Sequence, residues 1–288
     1  MIQDINPLQL NNHYDPDIKS DDKSLVVVYS EKSFLLAVND ETGEIAYPHI
    51  SDLKVTTESD LVYLFGIGDE KFFLFSGNTG ELSYDGSRFA FVDFSRVRSR
   101  LFSPKHYVYA AFTAFHLAEW YDVTRFCGKC GSENVNDRIE RARVCPKCGN
   151  KIYPRINPAV IIGVTDKERN RLILTKYRVG FGHNALVAGF TEIGETLEET
   201  VKREVMEEVG LNVTNIRYYK SQPWGMASDI LAGFFCDVTG DTTIKMDDQE
   251  LKYAEWNSPE EIVLQPMEYS LTNEMMKLFK DRGYGGTI

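Results

Sequence analysis

The stretch Gly189–Leu211, which reads GFTEIGETLEETVKREVMEEVGL, contains the strongest local pattern in the chain. Thr196 and Glu199 fit a capping box, so a helix is expected to begin there. Gly210 is well placed to end this helix. Four aliphatic side chains then fall on one face that points to a core, namely Leu197, Val201, Val205 and Val209. The sequence therefore predicts a core-facing helix over residues 196–209.

Acidic side chains occupy an unusual position on this helix. Glu204 and Glu208 project about 20° to either side of the aliphatic face, and Glu207 lies further out. Paired carboxylates near a core repel one another unless a cation compensates them. Mg²⁺ or Mn²⁺ would do so, because hard cations prefer oxygen ligands and also bind phosphates. The pattern favours metal-assisted phosphate chemistry, and a surface helix salt-bridged by Lys202 and Arg203 is the alternative.

Four of the five cysteines form two C-x-x-C pairs, Cys127/Cys130 and Cys145/Cys148. Two such turns supply four thiolates in the tetrahedral geometry that zinc favours. Because four protein ligands leave no open coordination position, the zinc is expected to be structural. A redox role for either pair is the alternative. The fifth cysteine, Cys236, lies in an apolar run and is expected in the core.

Composition and charge exclude several other classes of protein. The chain has 288 residues, of which 43% are hydrophobic and 26% charged, as in an ordinary globular protein. Its net charge of −11 disfavours a zinc-ribbon DNA-binding protein. No stretch approaches the roughly 18 apolar residues of a membrane helix, and the start of the chain lacks a signal sequence. A cytoplasmic protein without membrane contact is expected.

The chain divides by composition into three predicted domains. Residues 1–123 form a β-rich N-terminal domain with a connecting helix, residues 124–151 a zinc ribbon, and residues 152–288 the domain that holds the acidic helix. Residues 1–24 are polar and are expected to be a loose lead-in. This mixture of strands and helices predicts an α+β fold.

Individual elements are predicted from short apolar runs and their periodicity. Strands are expected at Leu25–Tyr29, Phe34–Val38, Leu61–Phe65, Phe72–Phe75, Ala159–Thr165, Arg171–Thr175, Asn215–Lys220 and Leu231–Val238. A buried helix is expected over residues 105–121, in which His106 and His116 serve packing or capping, and another helix near residues 270–281.

Residues 125–155 form a basic segment in an acidic protein. They carry eight Lys or Arg residues against three acidic residues, a side-chain charge of +5. Four thiolates and Zn²⁺ would reduce this to about +3. A solvated surface is one interpretation, and a contact for a phosphate-bearing substrate is the other.

The stretch Gly189–Leu211 also has a defined order of residue types: Gly, five residues, Glu, seven residues, then Arg-Glu-aliphatic-x-Glu-Glu-x-Gly-aliphatic. This order resembles the Nudix box at every defined position. The resemblance implies an α/β/α sandwich in which the loop–helix–loop box binds divalent metal. It also implies cleavage of a nucleoside diphosphate linked to another group.

Three further features resemble one branch of the Nudix family. A zinc ribbon directly precedes the Nudix region, Tyr153-Pro-Arg follows the ribbon, and Ser221-Gln-Pro-Trp224 begins ten residues after the box. With Ala118-Glu-Trp-Tyr121 they resemble the NADH pyrophosphatases, which are also NAD-cap-removing RNA hydrolases. This resemblance covers about residues 115–288, and the N-terminal domain resembles that family only in size and position.

The resemblance implies roles for individual residues. The divalent metal would be held by Glu204, Glu208, Glu250 and the backbone carbonyl of Ala188. Glu207 is the preferred general base, with Glu208 as its rival, and Arg203 is expected to anchor the box through Glu195. The substrate contacts would be Tyr153, Phe190, Glu140, Gln222, Pro223, Trp224, Ser228, Asp229 and Arg98. Tyr153 and Phe190 would stack on nicotinamide or adenine, and core packing is the alternative for both.

The sequence departs from the family pattern in one loop. The family usually continues the Ser-Gln-Pro-Trp motif with Pro-Phe-Pro-x-Ser, whereas this chain has Gly225-Met-Ala-Ser228-Asp229. The missing prolines and phenylalanine predict a more flexible loop with a smaller apolar wall. An anionic Asp229 would be unfavourable near a diphosphate unless it is paired or turned away.

The expected activity is hydrolysis of the pyrophosphate bond of NAD(H) to nicotinamide mononucleotide and AMP, together with removal of NAD caps from RNA 5′ ends. The alternatives are a pyrophosphatase for ADP-ribose or another dinucleotide, and a catalytically silent nucleotide- or RNA-binding module. Zn²⁺ is expected as the structural metal and Mg²⁺ or Mn²⁺ as the catalytic one. The family resemblance also implies a homodimer.

Overall fold

The computed structural model describes residues 1–54, 60–180 and 182–287. The chain falls into two compact units. We call Ile2–Arg155 with Gly225–Ser228 the N-terminal unit, and Met1 with Ile156–Trp224 and Asp229–Ile288 the C-terminal unit. Within the described residues, no helix combines the length and apolar character needed to span a membrane.

The described residues of the N-terminal unit form short strands and two α-helices. In chain order these are β1 (Leu10–Asn11), β2 (Leu25–Val27), β3 (Tyr29–Ser30), β4 (Ser33–Asn39), β5 (Glu44–Ala46), β6 (Leu53–Lys54), β7 (Leu61–Ile67), β8 (Glu70–Phe75), β9 (Ser83–Tyr84), β10 (Ala90–Asp93), α1 (Phe94–Ser99), α2 (Lys105–Val123), β11 (Val135–Asn136), β12 (Arg143–Val144) and β13 (Lys151–Ile152). The sheets have the strand orders β1-β7-β8-β2, β10-β4-β3 with β5 beside β4, β6-β9, and β11-β12-β13. Only β2 and β8 pair in parallel among these described strands.

Helix α2 is the buried connecting helix that the sequence predicts. Its Phe112 and Phe115 rings lie 4.9 and 4.3 Å from the ring of Phe94 in α1, measured between centroids. The His116 ring nitrogen Nε2 lies 2.7 Å from the carbonyl oxygen of Arg155. Nε2 of His106 lies 3.6 Å from the Glu70 carboxylate. Both histidines therefore contact protein groups, as a packing or capping role requires.

The C-terminal unit contains one six-stranded sheet and two helices. Its elements are β14 (Asn157–Asp166), β15 (Arg171–Tyr177), β16 (Val187–Phe190), α3 (Leu197–Val209), β17 (Asn212–Trp224), β18 (Asp229–Thr239), β19 (Leu251–Asn257) and α4 (Leu271–Arg282). The strand order is β17-β18-β14-β15-β19, and β16 pairs with the first half of β14. Strands β14 and β18 run parallel, and the other pairs are antiparallel.

Two hydrophobic cores lie on opposite faces of this sheet. Successive side chains of a strand point to opposite faces, so β14 contributes to both cores. Val160, Ile162 and Val164 pack with the valines of α3, whereas Ala159 and Ile161 pack with Leu271, Met275, Met276 and Phe279 of α4. The sheet is thus covered by one helix on each face, which confirms the α/β/α sandwich and the α+β fold.

The local signals for α3 are also confirmed. Thr196 is the N-cap and forms the capping box with Glu199, and Gly210 ends the helix in a left-handed conformation with φ of 68°. Val201, Val205 and Val209 are fully buried, and Leu197 packs against the same core from a half-buried position.

Most predicted strands lie inside observed ones, but one is wrong. Leu25–Tyr29 is two strands, β2 and β3, which belong to different sheets. The backbone divides there because Val26 donates to the Pro48 carbonyl, whereas the Val28 carbonyl accepts from Leu35. The polar lead-in includes β1, which pairs with β7. Several further elements were not predicted from the sequence, among them β10, α1, β16 and β19.

Removal of the N-cap should weaken the C-terminal unit. The Thr196 hydroxyl accepts a hydrogen bond from the Glu199 backbone N–H at 3.2 Å, so Thr196→Ala should lower the free energy of unfolding by about 1 kcal/mol. Urea denaturation followed by circular dichroism would measure this loss. Thr196→Ser keeps the hydroxyl and is the control. An unchanged midpoint for the alanine variant would contradict the assignment.

Candidate active site

A buried carboxylate near the end of α3 is the central feature of the candidate site. Glu208 is only 2% exposed. Its Oε1 accepts a hydrogen bond from the Tyr177 hydroxyl at 3.2 Å, and the Ala188 backbone N–H also donates to the carboxylate. Among the described residues, Oε2 has no hydrogen-bond partner. A buried acceptor without a donor is costly, and a cation would compensate it.

The electrostatic environment of α3 also favours a bound cation. Burial raises the pKa of Glu208 to about 8, assisted by the negative charges of Glu204 and Glu250 and opposed by the Tyr177 hydrogen bond. Burial also raises the pKa of Glu204, against the effect of Arg203. Both carboxylates therefore lie where negative charge is disfavoured, and a divalent cation would restore their ionised forms.

A close backbone approach sets the position of Glu204. A Cβ atom on Gly189 of β16 would lie 2.0 Å from Cδ of the Glu204 side chain. A side chain at this position would displace the Glu204 carboxylate. The strand that carries Ala188 thus passes directly beside Glu204, and Ala188 itself pairs with Ile161 of β14.

Arg203 connects the loop before α3 to the helix. Its guanidinium donates to both oxygens of Glu195, at 2.7 and 3.0 Å, as the sequence analysis predicted. It also donates to Glu204 at 2.7 Å and to Glu207 at 2.8 Å. Arg203 holds the pKa of Glu195 at about 2. Salt bridging therefore engages Glu204 and Glu207, but no Lys or Arg among the described residues pairs with the buried Glu208.

The remaining acidic residues of the predicted set are accessible. The side chain of Glu207 is 56% exposed. Glu250 is exposed in the turn before β19, where its carbonyl oxygen accepts from the Arg178 backbone N–H at 3.0 Å. Among the described residues, the four cysteine sulfur atoms all lie within 4.8 Å of one another. The carboxylates of Glu204, Glu208 and Glu250 are not all that close together. Their charges still act on one another, as the raised pKa values of the buried pair indicate.

The four cysteines of the N-terminal unit lie together. Their sulfur atoms are all within 4.8 Å of one another. The Sγ atoms of Cys127 and Cys148 are 3.6 Å apart, and those of Cys130 and Cys145 are 3.4 Å apart. Zn–S bonds of about 2.3 Å in a tetrahedron place sulfur atoms about 3.8 Å apart. The donor set therefore fits one zinc ion with four thiolate ligands.

The two cysteine turns have the same backbone hydrogen bonds. The Gly131 N–H donates to the Cys127 carbonyl at 2.8 Å, and the Gly149 N–H donates to the Cys145 carbonyl at 2.9 Å. Both glycines have positive φ, whereas Gly128 does not. Cys236 is buried in the sheet core of the C-terminal unit, as predicted.

The two predicted stacking residues are exposed, each on its own unit. Tyr153 is 53% exposed and Phe190 is 52% exposed, so the core-packing alternative is wrong for both. The Tyr153 hydroxyl donates to Glu140 at 2.8 Å, and Lys151 pairs with the same carboxylate at 2.8 Å. Glu140 is thus held by two neighbours on the ribbon.

The Ser-Gln-Pro-Trp region differs from its prediction. Gln222 is fully buried. Its amide nitrogen donates to the Tyr269 carbonyl at 2.6 Å, and its amide oxygen accepts from the Leu271 N–H at 2.7 Å. These bonds assign Gln222 to fixing the start of α4 instead of contacting substrate. Pro223 and Trp224 are half-buried at the end of β17.

The loop that departs from the family pattern, residues 225–229, is compact. Residues Gly225–Ala227 form a 3₁₀ turn, and a Cβ on Gly225 would lie 1.9 Å from the Phe112 carbonyl oxygen of α2. Ser228 has a left-handed backbone with φ of 60°. Asp229 is buried in β18 and does not present its carboxylate to solvent. Arg98 is half-buried in α1.

Much of the basic segment has structural partners. Arg141 donates to the Leu64 carbonyl at 2.6 Å, Arg143 donates to the Asn134 carbonyl at 2.7 Å, and Lys151 pairs with Asp137 at 2.9 Å. A cleft of about 980 Å³ in the same unit is lined by three cationic and four acidic side chains: Lys32, Arg125, Arg143, Glu31, Glu119, Asp122 and Glu133. This mixed lining does not favour a polyanion.

The sandwich, the acidic box and the ribbon define a class of protein. Residues 155–279 match the NUDIX domain, and residues 123–153 match the NADH pyrophosphatase zinc ribbon domain. The chain therefore contains a Nudix domain preceded by the zinc ribbon domain of NADH pyrophosphatases. Both matches agree with the resemblance that the sequence motifs indicate.

Named relatives match about half of the chain. NAD-capped RNA hydrolase NudC of Pectobacterium atrosepticum is 41% identical over 141 residues, which is 49% of this chain and 53% of that protein. The NudC of Shigella dysenteriae is 36% identical over 56% of this chain and 62% of its own length. Nudix hydrolase 19, chloroplastic, of Arabidopsis thaliana is 38% identical over 51% of this chain and 35% of its own length. The chain thus spans less than two thirds of each of these relatives.

The cysteine cluster predicts one structural zinc per chain. Cys148→Ser removes one of four ligands, so the purified variant should lose most of its zinc and the N-terminal unit should be destabilised. Atomic emission spectrometry would measure the metal content. Cys236→Ala is the control and should keep one zinc, since Cys236 lies in the other unit. Full zinc content in the Cys148 variant would contradict the four-cysteine site.

Proposed function

We propose that this chain is a metal-dependent hydrolase that cleaves the pyrophosphate bond of NAD(H) to nicotinamide mononucleotide and AMP. We extend the proposal to NAD caps at RNA 5′ ends, in which the same dinucleotide unit carries a 3′ strand. Mg²⁺ or Mn²⁺ would be the catalytic cation, and the family resemblance supports a homodimer.

The observation that carries this proposal is the buried carboxylate of Glu208. Its Oε2 atom is buried without a hydrogen-bond partner among the described residues, and a second half-buried carboxylate, Glu204, lies one helical turn away. Such a pair suits a hard divalent cation, which in turn binds phosphate oxygens. The names of the relatives supply the substrate class, because two of them are NAD-capped RNA hydrolases.

The proposed division of labour follows from burial. Glu204 and Glu208 would hold the cation with Glu250 and the Ala188 carbonyl. When bound, the cation would supply charge stabilisation on the diphosphate and lower the pKa of a water molecule. Gly189 keeps the Glu204 carboxylate beside the strand, and Arg203 keeps the preceding loop on the helix.

Glu207 is the proposed general base. Its carboxylate is accessible and is oriented by Arg203 at 2.8 Å, whereas Glu208 is buried and suits a ligand. Glu207 would take a proton from water while the water oxygen bonds to one phosphorus. The bond from that phosphorus to the bridging oxygen breaks, and the bridging oxygen leaves with the other mononucleotide. The products are two monophosphates, one of which is AMP.

Exposed aromatic rings are the proposed base contacts. Phe190 is the last residue of β16 and directly follows Gly189, which lies beside Glu204. About half of its surface is exposed to solvent. Tyr153, which directly follows the ribbon strand β13, is similarly exposed and is oriented through Glu140. Each flat ring offers a stacking surface for nicotinamide or adenine, which is worth roughly 1–3 kcal/mol per base.

Glu207→Gln should reduce turnover by about 10²- to 10⁴-fold, because it removes the general base while keeping size and hydrogen-bonding capacity. NADH hydrolysis with Mn²⁺, followed by chromatography of the mononucleotides, would measure the rate. Glu198→Gln makes the same change on an exposed position of the first turn of α3 and is the matched control. A fully active Glu207 variant would show that another residue is the general base.

A substrate panel tests the reaction against its alternatives. Wild-type protein with Mn²⁺ should release AMP from NADH and from NAD-capped RNA faster than from ADP-ribose or a diadenosine polyphosphate. Faster hydrolysis of ADP-ribose would assign the chain to another dinucleotide specificity. Absence of turnover with every substrate, in protein that still binds them, would assign it to a silent binding module.

A further inference from the structure

Tyr177 lies at the centre of a set of contacts that the proposed mechanism does not use. Its ring is half-buried and packs against the core on the α3 side of the sheet. Its hydroxyl donates to Oε1 of Glu208 at 3.2 Å. The phenol therefore occupies one oxygen of the carboxylate, while Oε2 lacks a hydrogen-bond partner among the described residues.

Regular alternation along β15 places Tyr177 on the same face as Ile173, in the core on the α3 side, and an irregularity in strand pairing lies beside it. Along β15 and β19, Lys176 pairs with Tyr253, but Tyr177 pairs with Leu251, so the register shifts by one residue between Lys176 and Tyr177. The extra residue, Lys252, lies in β19, and bulges of this kind are common beside functional sites. The hydroxyl contact with Glu208 thus lies at a local break in regular pairing.

The neighbouring residue fixes a second acidic element. The backbone N–H of Arg178 donates to the carbonyl oxygen of Glu250 at 3.0 Å, and its guanidinium donates to the Asp248 carbonyl. The same acidic turn is tied to α3, because the Asp247 N–H donates to the Glu208 carbonyl oxygen at 2.9 Å. The end of β15 therefore contacts both Glu208 and the turn that carries Glu250.

We infer that Tyr177 is a positioning residue for the catalytic cation: its hydroxyl holds Oε1 of Glu208, so that Oε2 is presented to the metal. This inference rests on the proposed role of Glu208 as a metal ligand. Hydrogen bonds from neighbouring residues orient metal ligands, and their loss commonly lowers metal affinity by about 10- to 100-fold.

Tyr177→Phe tests the inference, because it removes the hydroxyl and keeps the ring. The matched control is Tyr219→Phe, which also removes a tyrosine–glutamate hydrogen bond in the C-terminal unit, since the Tyr219 hydroxyl donates to Glu274 at 2.9 Å. Thermal unfolding of the metal-free proteins checks that each variant is folded. Electron paramagnetic resonance of free Mn²⁺ then gives the dissociation constant without any substrate.

We expect Tyr177→Phe to raise the Mn²⁺ dissociation constant by about tenfold, and Tyr219→Phe to leave it unchanged. Turnover of NADH should require correspondingly more Mn²⁺ for half-maximal rate, with the rate at saturating Mn²⁺ close to that of the wild type. A general structural role would lower the rate at every Mn²⁺ concentration and would affect unfolding instead of metal affinity.

The outcomes separate this inference from the proposed function. Unchanged Mn²⁺ affinity in Tyr177→Phe overturns the inference, whether or not the wild type hydrolyses NADH. A tenfold loss of affinity supports it even if no dinucleotide is hydrolysed, in which case the proposed function fails alone. Wild-type protein that binds no Mn²⁺ overturns the inference, because Glu208 would then not be a metal ligand.

Discussion

The carboxylate of Glu208, buried in the last turn of α3, is the constraint on which the C-terminal unit depends. Burial, the nearby charges of Glu204 and Glu250, and its place at the negative end of the helix dipole all disfavour an anion there. The surrounding structure nevertheless packs closely around the helix that carries it. The valines of α3 fix the helix on the sheet, and the backbone at Gly189 passes against Glu204. An arrangement that is unfavourable for folding and rigid in position is typical of a site that receives its compensating charge from a ligand.

Arg203 gives this site its shape. Its planar guanidinium contacts Glu195, Glu204 and Glu207 and also donates to the Phe190 carbonyl at 2.9 Å. One side chain therefore ties the loop before α3, the helix and the end of β16 to one another. Lysine would not reproduce these contacts, because an ammonium group lacks the fixed fork of donors. Arg203 is thus a structural centre of the box, while the buried Glu208 is left to a different partner.

The sequence predicts the features that are local and periodic. Helix α3, its caps, its core face and the inner position of Glu204 and Glu208 follow from spacing alone, and so does the cysteine quartet. The division between β2 and β3 could not be predicted, because it depends on which partners the backbone finds in the fold: Pro48 for Val26 and Leu35 for Val28. Short strands such as β1 and β16 are defined by their partners and carry too few residues for a periodic signal.

The roles of individual side chains were likewise hard to predict when they depend on contacts formed only in the fold. A motif match placed Gln222 in contact with substrate, but the fold uses its amide to fix the start of α4. Tyr177 has no motif, and its contact with Glu208 depends on how β15 packs against α3 in the folded unit. The signal that could have drawn attention to it is a tyrosine at the end of a strand that leads towards the acidic box. The contact itself becomes apparent only from the arrangement of the strands and α3 in the fold.

The matching cysteine turns have a consequence for how this protein responds to its surroundings. Neither turn alone provides a complete ligand set, so the free energy of metal binding is available only when both are formed at once. The free energy of unfolding of the ribbon then varies with the logarithm of the free zinc concentration. It also varies with acidity, because protons compete for the thiolates. Metal supply and folding are in this way linked in one segment of the chain.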